Sequence, residues 1–182
     1  MALKATIFKA TLAVADMDRN YYATHALTLA RHPSENDERM MVRVLAFALH
    51  ASPALAFGRG LSADDEPDLW LRDDTGVIDL WIDVGLPEER LLRKAAGRAR
   101  AVVVYGYGGR AVDLWWSRNK DALARVGNLT VRSIAPESVQ AMARLVARSM
   151  DLHCTVQDGH IWLSDQAVTV PVEIADLVAA TR

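Results

Sequence analysis

Carboxylates carry most of the potential chemistry in this 182-residue chain. In the segment Ile78-Asp-Leu-Trp-Ile-Asp-Val84, two aspartates alternate with apolar residues. Side chains alternate faces along a strand, so Ile78, Leu80, Ile82 and Val84 share an apolar face, and Asp79, Trp81 and Asp83 share the other. Aspartate is a poor strand former, and two of them around a mid-strand tryptophan need a reason. Either that face is wet, or it carries a site. Glu38 is the second oddity. On a helical wheel it falls within the arc of Met41, Val42, Leu45 and Leu49, where a carboxylate needs a cation, a metal or a hydrogen-bond donor. A first-turn carboxylate that caps backbone N–H groups and reaches solvent would also fit. Glu66-Pro67-Asp68 enters a further strand, although Pro-Asp alone is a common turn dipeptide.

The counter-charge comes from a helix expected over 88–100. Leu91, Leu92, Ala95, Ala96 and Ala99 form its buried stripe, with Arg90, Arg93, Lys94, Arg98 and Arg100 on the opposite arc. Lys94 and Arg98 lie at one border, where a long side chain can bend back toward the sheet. A solvated face with Glu89–Arg93 pairing at i, i+4 is the better reading for most of these charges.

Other candidates are weaker. His25, His32, His50, His153 and His160 are scattered, and His153-Cys154 on a strand would point to opposite faces, so zinc spacing is absent. Gly106, Gly108 and Gly109 match neither phosphate-loop pattern and are expected to form a tight turn. Ser34, Ser62 and Ser164 lack a nucleophile-elbow context. Of the five tryptophans, Trp81 is the candidate for stacking on a base, and the others are expected in the core.

The elements that must position these groups follow from periodicity. Strands are expected over 5–14 and 21–29 as an antiparallel hairpin. A helix follows with Ser34 as N-cap and Asp37 as a weaker capping-box partner, ending near His50. Short strands are expected over 54–61, 68–73 and 78–84. The helix over 88–100, with Pro87 at its entry, leads to a buried strand over 101–107. A helix over 112–126, a strand over 129–134 and a helix over 137–150 come next. Strands over 153–163 and 167–172 close the pattern, with Asp158-Gly159 as a hairpin turn. The fold class is α/β (α+β mixed), a mixed central sheet flanked by helices. One domain over 1–182 is expected.

Composition is that of a globular protein, with 51% hydrophobic and 24% charged residues. A net charge of −2 argues against the broad basic footprint of many nucleic-acid binders, though not against a local basic stripe. No apolar run approaches membrane-spanning length, and no signal peptide is read at the start. With its single cysteine, the chain fits a reducing cytoplasm.

The stretches MALKATIFKATLAVADMDRN, TLARHPSENDERMM, SADDEPDLWLR, Gly76–Gly85 (GVIDLWIDVG), LPEER and QDGHIWLSD span most of the chain. Together they resemble the YaeQ family of proteobacterial proteins. The order of a helix glutamate, Pro67-Asp68 at a strand start, Asp83 in the next strand and a basic helix resembles the core of the PD-(D/E)xK nuclease superfamily. That resemblance implies a restriction-endonuclease-like core with Mg²⁺ or Mn²⁺ held by Glu38, Asp68 and Asp83, with Asp79 in support. Hard oxygen ligands suit these ions, which polarise a scissile phosphate and activate water. The motif's lysine is absent, its position being Gly85, and Lys94 is the candidate substitute. The expected function is a metal-dependent phosphodiesterase. The alternative is a non-catalytic module that binds a protein or nucleic acid on the same fold.

Overall fold

The computed structural model describes residues 4–181. The described residues form four α-helices and two mixed sheets, so the mixed α/β class read from periodicity holds. These elements gather into two compact units, each built from discontinuous segments.

The first unit runs to Ala51 and resumes over Glu137–Glu173. Its hairpin pairs β1 (Thr6–Asp16) with β2 (Tyr21–Arg31) in an unbroken antiparallel register from Thr6↔Arg31 to Asp16↔Tyr21. β8 (Ser149–Gln157) joins the free side of β1 in parallel, and β9 (His160–Ser164) and β10 (Thr169–Val172) follow antiparallel. The sheet order is therefore β10-β9-β8-β1-β2. Phe8, Ala10, Leu12 and Val14 alternate into the core with Met150, Leu152, Cys154 and Val156, the period of two that one buried face imposes. The turn between β8 and β9 is Asp158-Gly159, both at positive φ (51° and 77°), as a two-residue hairpin requires.

Helix α1 (Asp37–Leu49) is capped by Asn36, whose side chain accepts from the Arg39 N–H at 2.9 Å. Ser34 is not the cap; its hydroxyl lies 2.6 Å from the His32 ring. Burial also extends beyond the arc of Met41, Val42, Leu45 and Leu49, because every residue from Met40 to Ala48 is buried. A near-continuous apolar run has no polar side to present, so its wheel gives no stripe. The helix expected over 137–150 is shorter. α4 (Pro136–Ala143) stops and Ser149 already belongs to β8, where pairing to β1 overrides local propensity.

The second unit comprises Ser52–Pro136 and the segment from Ile174. Its sheet order is β11-β7-β6-β5-β4-β3, with β3 Leu55–Phe57, β4 Leu69–Arg72, β5 Ile78–Val84, β6 Ala99–Gly106, β7 Leu129–Ile134 and β11 Ile174–Val178. β5, β6 and β7 are mutually parallel and the outer pairings antiparallel. Helices α2 (Glu89–Arg98) and α3 (Arg110–Leu123) supply Leu92, Ala95 and Leu123 to a core with Trp81, Val102, Val104, Leu129 and Val131. α2 ends before Arg100, where β6 takes over at once. The strand expected over 54–61 is cut to three residues, and Gly60–Ser62 is a single 3₁₀ turn. No described helix is long and apolar enough to cross a membrane.

Candidate acidic site

Asp68 is the buried acid of the second unit, 4% exposed. It immediately precedes β4, whose first ladder pair is Leu69↔Ile82. One step further along that antiparallel register, Asp68 stands level with Asp83, the penultimate residue of β5. Residues level in an antiparallel pair share a face. The Asp68 carboxylate accepts the Val84 backbone N–H at 2.8 Å through Oδ2. Its Oδ1 lies against Gly60, where an added Cβ would come within 2.7 Å of that oxygen. Gly60 also has φ +50°, a conformation glycine adopts at little cost. The loop around this acid is latched twice. Gly58 N–H donates to the Asp68 carbonyl at 3.0 Å, and the Arg59 guanidinium and backbone N–H each donate to Glu66 at 3.0 Å. The Arg59 hydrogen bonds hold the Glu66 carboxyl below the usual range.

Asp83 is half-buried and accepts the Trp81 indole N–H at 2.9 Å through Oδ2. Trp81 itself is only 5% exposed and packs in the core, so it offers no face for a base, contrary to the expectation from sequence. Arg98 bends back from the end of α2, its guanidinium 5.1 Å from the Trp81 ring centroid and donating to the Asp65 carbonyl at 2.9 Å. Of the two border residues it is thus Arg98 that reaches the acidic face. Lys94 is exposed and has no ion pair among the described residues.

Asp79 lies at the other end of β5 from Asp83, about 13 Å away at the ordinary strand rise. It pairs with Arg100 at 2.6 Å, which also approaches Asp73 at 3.8 Å. A cavity of about 340 Å³ opens beside Trp70, Arg72, Asp73 and Asp74, and neither Asp68 nor Asp83 lines it.

Glu38 belongs to the first unit, in the first turn of α1, and is half-buried. The buried carboxylate of that region is Glu35, 7% exposed. It takes Arg43 Nε and a terminal Arg43 nitrogen at 2.7 Å each, and Arg39 at 3.0 Å. Sequence reading missed this cluster. The signal was Arg43 itself, a lone cation in the run MMVRVLAFAL, which cannot be buried unpaired.

Among the described residues, no group of three or more His, Cys, Asp or Glu side chains is gathered to hold a metal. The level pair Asp68 and Asp83 fits a more modest requirement. Mg²⁺ is commonly held by one or two carboxylates, with waters and substrate phosphates completing its shell.

A mixed-sheet α/β chain with an acid pair at the carboxyl edge of its parallel strands is the class that fold and site define. The YaeQ protein family model matches residues 1–174, and the chain belongs to the YaeQ family. It is 48% identical over 174 residues to the YaeQ protein of Escherichia coli strain K12, covering 96% of each chain. Against the Salmonella typhi YaeQ protein the identity is 47%, again with 96% of each chain covered. The crystal structure of YaeQ from Xanthomonas axonopodis pv. citri superposes with TM-score 0.93 at 49% identity, over 96% of this chain and 99% of that one. The Pseudomonas syringae YaeQ structure gives the same TM-score, 0.93, at 30% identity, over 98% of both chains.

Proposed function

We propose that this protein is a metal-dependent phosphodiester-binding protein of nuclease type, with Asp68 and Asp83 as its metal ligands. The observation that supports it is the placement of a buried, doubly fixed Asp68 level with Asp83 at the carboxyl ends of β5 and β6. Open α/β sheets bind ligands at that edge. A carboxylate held by backbone N–H and glycine packing is preorganised for a ligand. In this reading a bound Mg²⁺ or Mn²⁺ supplies Lewis-acid polarisation of a phosphoryl oxygen. Arg98, rather than Lys94, supplies the cation for developing charge, and Asp79 serves its ion pair with Arg100. The restriction-endonuclease-like core implied by the PD-(D/E)xK resemblance is part of the same proposal; Glu38, the third acid that the resemblance implies, belongs to the first unit.

A second reading, non-catalytic binding of a protein or nucleic acid on the same fold, is favoured by Gly85. Its φ of +102° takes the motif's lysine position out of strand geometry, so a lysine there would be strained.

Calorimetric titration of Mg²⁺ and Mn²⁺, with and without a phosphodiester analogue, separates the two. The metal reading expects binding by the wild type that Asp83→Asn abolishes while circular dichroism is unchanged. A Glu38→Gln variant reads in the same titration whether that residue takes part. Identical isotherms for wild type and Asp83→Asn would reject the acid pair and leave the binding module.

A further inference from the structure

Each sheet has two edges, and three of the four edge strands are blunted. β3 has three residues. β10 has four, with Pro171 among them. β11 has five and carries a register shift between Asp176 and Val178. Short strands, prolines, bulges and charges are the usual means of keeping an open edge from recruiting another strand.

β2 has none of them before its last residue, Arg31. It is an eleven-residue edge strand whose register to β1 is unbroken. From Tyr21 to Ala30 it contains no Asp, Glu, Lys, Arg or Pro. In an antiparallel pair every second residue turns its N–H and C=O away from the partner strand. At the far end of β2 the Arg43 guanidinium meets the Ala30 carbonyl at 3.2 Å. Between Tyr21 and Leu29 no described group takes up that outer row. The side chains on the outer sheet face are small or uncharged: Tyr22, Thr24, Ala26, Thr28 and Ala30 are all exposed.

We infer that β2 is a strand-addition interface and that its occupant is β2 of a second copy of this chain. The strand's own charge pattern argues for that occupant. A strand that pairs with itself antiparallel about a two-fold axis meets its own side chains, so any central charge would oppose its like. β2 has no central charge. In the register centred on Ala26, Ala26 opposes itself, Thr24 opposes Thr28, and Tyr22 opposes Ala30. The single cation, Arg31, opposes Tyr21 and stands at the ends, already paired within its own chain to Asp37. The joined ladder would run about 36 Å at the ordinary strand rise, and the two five-stranded sheets become one continuous sheet.

Sedimentation over a concentration series from micromolar to millimolar, on the full chain, tests this. The wild type is expected to pass from monomer to dimer. Ala26→Lys places two ammonium groups across the axis and is expected to weaken association by about tenfold or more, with circular dichroism and melting unchanged. Oxidation supplies the register. Ala26→Cys is expected to form a disulfide-linked dimer, whereas Ile7→Cys, exposed on β1 away from the edge, is not. The native thiol does not interfere, since Cys154 is buried. A wild type that stays monomeric throughout, or an Ala26→Lys variant that associates as well as the wild type, overturns the inference.

Discussion

Two arginines show how a single residue can set local structure. Arg43 is 6% exposed in the middle of α1 and gives Glu35 a bidentate pair. Two charges out of water are tolerated only when each satisfies the other, and removing one strands its partner. Arg43→Met is therefore expected to cost about 3–5 kcal/mol in urea unfolding. The double variant Glu35→Leu with Arg43→Met should recover most of it. Equal losses in the single and double variants would mean that the pair is not the source. Arg19 does a comparable job at the hairpin. It donates to buried Asp16 at 2.7 Å and to the Ala51 carbonyl at 3.1 Å, tying the β1–β2 turn to the residues that follow α1. Neither arrangement was legible in the sequence, because neither a pair eight residues apart nor the reach from Arg19 to Ala51 follows a spacing rule. The bounds of β5 were legible, but its strict alternation is not kept. The ladder to β4 shifts register between Leu71↔Leu80 and Arg72↔Ile78, leaving Asp79 as the extra residue. Ile78 packs in the same core as Trp81, while Asp83 shares the face of Trp81. The polarity of that face was not legible. Trp81 fills the core beneath α2, so the two aspartates stand at opposite ends of a buried tryptophan instead of forming one acidic patch.

At the scale of elements, β5 and β7 are bounded as periodicity predicts, and the antiparallel hairpins follow from their turns. The failures share a cause. α4 was read too long and β11 was missed, because a tertiary partner decides both, and a partner strand has no local signal. α1 was expected to bury one apolar arc, whereas every residue from Met40 to Ala48 is buried, since a helix period and a nearly continuous apolar run cannot be told apart over so short a stretch. The Gly58–Asp68 loop is the element on which the candidate site depends. Gly60→Ala asks an L residue to hold φ +50° and drives a methyl into Asp68 Oδ1. The expected cost is about 1–3 kcal/mol, read as a lower melting temperature, together with weakened metal binding if Asp68 is a ligand. A variant with unchanged melting would show that the loop relaxes without strain.

Across the whole molecule, the one thiol reports on folding. Burial pushes the Cys154 thiol from 9.0 up to about 12, with Asp16 adding to the effect. The folded state thus keeps its proton where the unfolded chain would release it. The contribution to stability is complete below pH 9 and is lost as pH rises toward about 12. Thiol labelling at neutral pH is expected to be slow in the native protein and to accelerate in parallel with unfolding. Rapid labelling of the native chain would place Cys154 outside the core. Family membership, by contrast, was legible in full from the stretches distributed along the chain, because those stretches carry the hairpin, the acid-bearing strands and the terminal turn together.

The parallel pairing of β1 with β8 has a consequence in the order of events during synthesis. Lys9 finds its partner at Ser149 and Asp16 at Val156, so the inner side of the first hairpin must wait for more than a hundred further residues. At about 5–20 residues per second, that is a delay of several seconds or more. Throughout it both sides of the hairpin lie open, while the segment that builds β3 to β7 is completed in between. The strand that later lies between β8 and β2 is thus the one most in need of protection while the ribosome is still working.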